Sequence, residues 1–151
     1  MGCGMRVLIV EDSPDEAATF ADLAAYHGHA PIVTPSAEAA LESLSVSSPD
    51  AVLLDVSLPG MSGVEFLRIL SERRQALPVV VISGLATEDQ ARRCLELGAV
   101  EFLLKPITLD QLGIVLGFIE VHLLTVGLKP SCPRTARRCT LGGWGSVWPG
   151  A

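Results

Sequence analysis

The stretch that most constrains the fold is an unbroken apolar run, residues 51–54, which ends in a single carboxylate at Asp55. A loop rich in Ser, Pro and Gly follows at once, over residues 56–63. A short apolar run of this kind, bounded by turn residues, is typical of a strand buried on both faces of a sheet. Open α/β sheets bind their ligands beside the carboxyl ends of such strands. The stretch therefore predicts that Asp55 is the reactive group of the protein.

Four further strands are predicted by similar patterns, and a helical pattern follows each of the five. The predicted strands are residues 5–10, 30–33, 51–55, 78–82 and 101–105. The predicted helices cover roughly residues 13–27, 36–47, 63–75, 87–97 and 108–124. Strands that alternate with helices indicate βαβ units and a parallel sheet with helices on both faces. We therefore expect a doubly wound, flavodoxin-like α/β fold, (βα)5, with the strand order 2-1-3-4-5.

Composition and charge limit the other possibilities. The 151 residues fit one domain of ordinary size, and no apolar run approaches the ~18 residues that a membrane span needs. Residues 1–126 carry 17 acidic and seven basic side chains, which argues against nonspecific nucleic-acid binding. No signal sequence is indicated, so we expect a cytoplasmic protein without membrane contact. Residues 1–4 are predicted to be an extension, and the basic, Gly/Pro-rich residues 125–151 a flexible tail.

Polar residues end four of the five predicted strands: Glu11 and Asp12, Asp55, Ser83 and Lys105. Each has an ordinary explanation when taken alone, because acids cap helices, Ser before Gly makes turns and Lys before Pro is commonly a loop charge. Together they are more informative, because the carboxyl ends of parallel strands share one edge of the sheet. Three clustered carboxylates would repel one another, and a hard divalent ion with oxygen ligands, Mg²⁺, would relieve that repulsion.

These residue types suit a phosphoryl transfer. Asp55, in the central strand, would attack phosphorus in line and form an acyl phosphate. Lys105 would neutralise one phosphoryl oxygen, and the Ser83 hydroxyl would donate a hydrogen bond to another.

The combination resembles the response-regulator receiver domain of two-component signalling, in its single-domain, chemotaxis-regulator-like form. The resemblance covers residues 5–124. It is carried by the acid pair, by Asp55 with the loop 58–63, and by the Ser83-Gly84 and Lys105-Pro106 dipeptides. The intervals between Asp12, Asp55, Ser83 and Lys105 are 43, 28 and 22 residues.

The resemblance implies a role for each matching residue. Glu11, Asp12 and Asp55 would bind Mg²⁺, with the backbone carbonyl of Ser57 as a further ligand. A sensor histidine kinase or a phosphotransfer protein would supply the phosphoryl group from a phosphohistidine. A receiver catalyses its own phosphorylation and dephosphorylation, and is not a turnover enzyme on an external substrate.

Two further expectations follow from the resemblance. The Lys105–Pro106 bond is a candidate for the cis state, which is otherwise a minority state of X-Pro bonds. Phe102 occupies the position of an aromatic switch, whose ring turns inward when the Ser83 hydroxyl moves toward the phosphate. The alternative for Phe102 is an ordinary core residue.

The last predicted helix is apolar on more than one face, so part of its surface should stay exposed after it packs on the sheet. The surface of the fourth helix, fifth strand and fifth helix would then change on phosphorylation and bind a downstream protein or a second copy. Gly113 and Gly117 would let another helix approach closely. Alternatively, the tail folds back over this surface, or the helix is simply well buried.

Three other hypotheses stay open at this point. A phosphatase with an aspartate nucleophile would need a second acid at position 57, where this chain has Ser57. A degenerate receiver would act only as a binding module, which the intact set of strand-end residues argues against. The chain could also be the receiver portion of a larger transcription regulator, since residues 125–151 are too few for a DNA-binding output domain.

Position 85 generates a first prediction. In the family, positions 57 and 85 line the solvent side of the phosphate and tune its hydrolysis, and an apolar Leu85 cannot orient an attacking water. We therefore expect slow autodephosphorylation, and a shorter aspartyl-phosphate lifetime in Leu85→Glu. The lifetimes of the two phosphorylated proteins decide this, and equal lifetimes would show the expectation to be wrong.

Overall fold

The computed structural model describes residues 4–73, 77–84 and 88–125, in which five strands alternate with five helices. The strands are β1 (Arg6–Val10), β2 (Ala30–Thr34), β3 (Ala51–Asp55), β4 (Val79–Ser83) and β5 (Glu101–Leu104). The helices are α1 (Pro14–Tyr26), α2 (Ala37–Val46), α3 (Gly63–Glu72), α4 (Glu88–Glu96) and α5 (Leu109–Thr125). Every predicted element is present, with bounds shifted by a few residues. The predicted end of α3 at Gln75 and start of α4 at Thr87 lie outside the described residues.

All four strand pairings are parallel, and the sheet order is β2-β1-β3-β4-β5. The doubly wound, flavodoxin-like prediction is therefore confirmed. The register pairs Val10 with Leu54, and Asp55 with Ile82. The residues that follow β1 thus lie beside the end of β3, at the shared edge predicted for the carboxyl ends of the strands.

Side-chain alternation along the strands divides the core into two layers. One layer lies under α2, α3 and α4, and its strand residues are Leu8, Val10, Val52, Leu54, Val79 and Val81. The other lies under α1 and α5, and its strand residues are Val7, Ile9, Ala51, Leu53, Val80 and Ile82. Strands buried on both faces explain why the sequence shows continuous apolar runs and not alternation. None of the described helices is long and apolar enough to cross a lipid bilayer.

One histidine, at the C-terminal cap of α1, contacts α5 beside a glycine. Nε2 of His27 lies 2.9 Å from the carbonyl oxygen of Leu109, so this nitrogen carries the proton and donates it. The His27 ring fills the space beside Gly113, where a Cβ atom would overlap it. The expectation that Gly113 admits a helix of another protein is therefore wrong. Gly117 has open space instead, with nothing described within 4 Å of a Cβ built there.

The buried face of α5 contains one charged residue that the sequence pattern did not predict. Glu120 is only 4% exposed. Burial raises the pKa of its carboxyl from the ordinary 4.5 to about 7, and the nearby charge of Asp50 adds to this shift.

Glu120 should therefore make stability depend on pH. The folded state binds its proton more tightly than the unfolded state does, so stability is lost as the pH rises from about 4.5 through about 7. One pKa unit corresponds to ~1.4 kcal/mol, so Glu120→Gln should raise the free energy of unfolding by up to ~3 kcal/mol at about pH 8 and much less at about pH 5.

Urea denaturation of wild type and Glu120→Gln at both pH values measures the effect. Glu96→Gln, at the exposed end of α4, is the control for removing a surface charge. An equal gain from Glu120→Gln at the two pH values would contradict the prediction.

Candidate functional site

Three carboxylates meet where β1 and β3 end. One oxygen each from Glu11, Asp12 and Asp55 lies within 4.8 Å of the others. Glu11 and Asp55 are buried, whereas Asp12 is exposed. The acid pair follows β1 directly and Asp55 is the last residue of β3, so parallel pairing of the two strands is what brings them together. The cluster opens to solvent on the Asp12 side.

Local backbone amides orient the two buried carboxylates. The Ser57 N–H donates to Oδ1 of Asp55 at 2.9 Å, and the Ser13 N–H donates to Oε2 of Glu11 at 3.2 Å. Each donor lies two residues after its acceptor, so the turn that leaves each strand also fixes the acid at its end. Ser13 then caps α1, its hydroxyl accepting from the Glu16 N–H at 3.5 Å.

Lys105 brings a positive charge to the acids. It follows β5, and its Nζ lies 3.1 Å from Oε1 of Glu11 and 3.2 Å from Oδ2 of Asp55. Burial lowers the pKa of the Lys105 ammonium, but hydrogen bonds to Glu16, Glu11 and Asp55 outweigh it and hold the pKa above its ordinary value. The lysine is therefore a permanent cation at neutral pH.

The buried acid at the end of β1 is strongly perturbed. Burial, with a smaller contribution from Asp55, raises the pKa of Glu11, and the Ser13 N–H and Lys105 lower it; the net result is a pKa of about 7. A cation that binds beside Glu11 would stabilise its carboxylate, because a nearby positive charge favours the charged form.

Ser83 ends β4, and Phe102 lies on the neighbouring edge strand β5. The Ser83 side chain is fully buried, and its Oγ has no hydrogen-bond partner among the described residues. Phe102 is partly buried and packs against the core layer beneath α4. Its assignment as a switch or as a core residue stays a prediction. The Lys105–Pro106 bond is cis, the state that the resemblance predicted.

Glu16 is a site residue that sequence reasoning missed. It lies in the first turn of α1, where an acid favours the helix dipole, and its Oε1 lies 3.0 Å from Nζ of Lys105. The signal available was the spacing Ser13-x-x-Glu16, which places the Glu at the end of the first helical turn. Leu85, whose predicted effect is on phosphate lifetime, lies outside the described residues, as do residues 126–151.

The family model for the response regulator receiver domain matches residues 7–116, which is most of the chain. The chain is a member of the response regulator receiver family. Receiver domains of two-component response regulators act in phosphorylation-dependent signalling, with histidine kinases or phosphotransfer proteins as partners, and bind Mg²⁺ at an acidic pocket. The sequence-based resemblance is thereby confirmed.

Individual relatives agree with the family assignment. The receiver is 31% identical over 111 residues to the nitrogen assimilation regulatory protein NtrX of Azorhizobium caulinodans, covering 72% of this chain and 24% of that protein. It is 33% identical over 109 residues to the transcriptional regulatory protein TcrA of Mycobacterium tuberculosis, covering 72% of this chain and 43% of that protein. The chain spans less than half the length of these relatives.

Solved structures show the same fold. A response regulator receiver domain protein from Clostridium thermocellum superposes with a TM-score of 0.76 at 22% identity, over 81% of this chain and 98% of that one. At this identity the likeness concerns the fold alone.

The residues present fit a magnesium ion. Mg²⁺ prefers carboxylate oxygens and keeps several of its waters. The cluster of Glu11, Asp12 and Asp55 supplies three such oxygens within 4.8 Å, and its exposed side leaves room for water. Burial and the neighbouring Asp55 both disfavour the Glu11 anion, and a divalent cation would favour it.

Proposed function

We propose that this receiver accepts a phosphoryl group on Asp55 from a phosphohistidine of a sensor histidine kinase or phosphotransfer protein. The observation that carries the proposal is the buried Asp55 carboxylate, which lies 3.2 Å from the Lys105 ammonium and within 4.8 Å of two further acids. A carboxylate oxygen of Asp55 attacks phosphorus. The new P–O bond forms as the P–N bond breaks, and the imidazole nitrogen keeps the electron pair and takes a proton from solvent.

Glu11, Asp12 and Asp55 would hold Mg²⁺, with the Ser57 backbone carbonyl as a further ligand. When bound, the ion neutralises charge on the phosphoryl oxygens. Lys105 supplies the other positive charge, from the opposite side of Asp55 in the strand order. Its pKa above the ordinary value keeps it charged through the transfer.

Ser83 is the residue proposed to sense the product. Its buried Oγ has no described partner, and a buried hydroxyl without one carries a free-energy penalty of roughly 1–3 kcal/mol. A phosphoryl group on Asp55, one strand away, supplies an acceptor for it. Movement of Ser83 toward that acceptor is proposed to let Phe102 turn inward, which carries the change to β5.

The competing hypotheses require different residues around Asp55. A phosphatase needs a general acid at position 57, where a serine stands whose amide already binds Asp55. A degenerate receiver used as a binding module would not need the convergence of Glu11, Lys105 and Asp55. The names of the longer relatives also favour a regulatory role as part of a transcription regulator, which remains an alternative context for the same chemistry.

Incubation with Mg²⁺ and acetyl phosphate tests the proposed chemistry. We expect intact mass to rise by about 80 Da, the mass of one phosphoryl group, in wild type and not in Asp55→Asn. Removing Mg²⁺ with a chelator should abolish the adduct. The same adduct in both proteins would show that a residue other than Asp55 is phosphorylated. The absence of an adduct in both would favour the binding-module hypothesis.

The output surface is proposed to include the exposed apolar side of α5. Ile114, Phe118 and Val121 recur at i, i+4 and i+7 and are each more than 60% exposed. With Val100, just before β5, and Pro78, just before β4, they line a groove of about 660 Å³. An exposed apolar patch of this kind commonly marks a protein interaction site. The proposed occupant is a downstream protein or a second copy of the receiver.

Self-association through this groove is the first case to test. Size exclusion of wild type, before and after phosphorylation, should show a shift toward the dimer that Phe118→Glu removes while the phosphoryl adduct still forms. Val46→Glu is a matched control, because Val46 ends α2 and is also highly exposed. A monomer in both states would exclude the homodimer and leave a downstream protein as the proposed occupant.

A further inference from the structure

The Lys105 ammonium already has three partners before any phosphoryl group arrives. Its Nζ lies 3.0 Å from Oε1 of Glu16, 3.1 Å from Oε1 of Glu11 and 3.2 Å from Oδ2 of Asp55. The ammonium donates hydrogen bonds to Glu11 and Asp55 and forms an ion pair with Glu16. A phosphoryl oxygen that approaches Lys105 therefore competes with three carboxylates for one positive charge.

Burial indicates which carboxylate leaves. The Glu11 and Asp55 side chains are 1% and 6% exposed, whereas the Glu16 side chain is 44% exposed. A buried carboxylate that loses its cation has no water to replace it, and this is costly. Glu16 is partly exposed, so water can replace Lys105 as the partner of its carboxylate. Release of Glu16 is thus the least costly way to make room for a phosphoryl oxygen beside the Lys105 ammonium.

The helix cap explains why Glu16 is available for this contact. In a capping box, the Glu three residues after the cap accepts the N–H of the capping Ser. Here the Ser13 N–H donates to Glu11 instead, at 3.2 Å, so the Glu16 carboxylate is not needed at the cap. It extends to the loop after β5, beside a shallow groove lined by Thr19, Phe20, Pro106 and others.

We propose that Glu16 is a positioning residue that holds Lys105 in the unphosphorylated protein and competes with the phosphoryl group for its ammonium. This inference rests on the proposed function of Asp55 as phosphoacceptor. Glu16 lowers the affinity of the site for a phosphoryl group, and its removal makes the phosphorylated geometry easier to reach. The effect acts through the contact with Lys105 and not through helix capping.

Equilibrium binding of beryllofluoride, a phosphoryl analogue, to the full chain with Mg²⁺ tests the proposal without any turnover. Titrations followed by calorimetry should show that Glu16→Gln binds about two- to fivefold more tightly than wild type, the size expected for the loss of one partly exposed ion pair. The matched control is Glu65→Gln. Glu65 holds the same position after the Ser62 cap of α3, and its N–H donates to that Ser at 3.2 Å. This variant should bind like wild type.

Glu16→Asp separates the contact from simple charge repulsion. It keeps the negative charge on the rim but is shorter by one methylene, so it should also bind beryllofluoride more tightly than wild type. Wild-type affinity in Glu16→Asp would assign the effect of Glu16→Gln to net charge, and equal or weaker binding by Glu16→Gln would overturn the proposal outright. If wild type binds beryllofluoride and the variants match it, this inference alone fails. If wild type does not bind it, the proposed function fails as well.

Discussion

Repulsion among the carboxylates of Glu11, Asp12 and Asp55 is the constraint on which the rest of the site depends. Parallel pairing of β1 and β3 forces these acids to the same edge, and the burial of two of them removes most of the water that would screen them. Within the described residues, Lys105 balances part of this charge by reaching past β4 from the end of β5. The remaining negative charge is what suits the site to a divalent cation and, with it, to an incoming phosphoryl group.

Much of this arrangement could be predicted from the sequence, because strands buried on both faces leave continuous apolar runs. Once five runs alternate with helical patterns, the parallel topology follows, and with it the meeting of Asp55, Ser83 and Lys105 at one edge. The identities of these residues then limit the chemistry. The prediction of the fold needed no knowledge of side-chain conformation, and the structure confirms it.

The features that sequence reasoning missed all depend on which side chain crosses between elements. The apolar pattern of the last helix did not show that Glu120 would lie on its buried face. Two glycines on α5 were indistinguishable in the sequence, and only the His27 ring separates the role of Gly113 from that of Gly117. Likewise, the Ser13-x-x-Glu16 spacing does not show that Glu11 accepts the Ser13 N–H, which leaves the Glu16 carboxylate able to reach Lys105.

The buried Ser83 hydroxyl has a consequence for how this receiver tolerates sequence change. Because its oxygen has no described partner, an alanine there would relieve an unsatisfied polar group and leave the resting fold equally stable or more so. The same change would remove the donor proposed to detect the phosphate. Selection for stability therefore favours an alanine at position 83, whereas selection for signalling favours the serine. Such a trade-off is found where function keeps a strained or unsatisfied group in a protein.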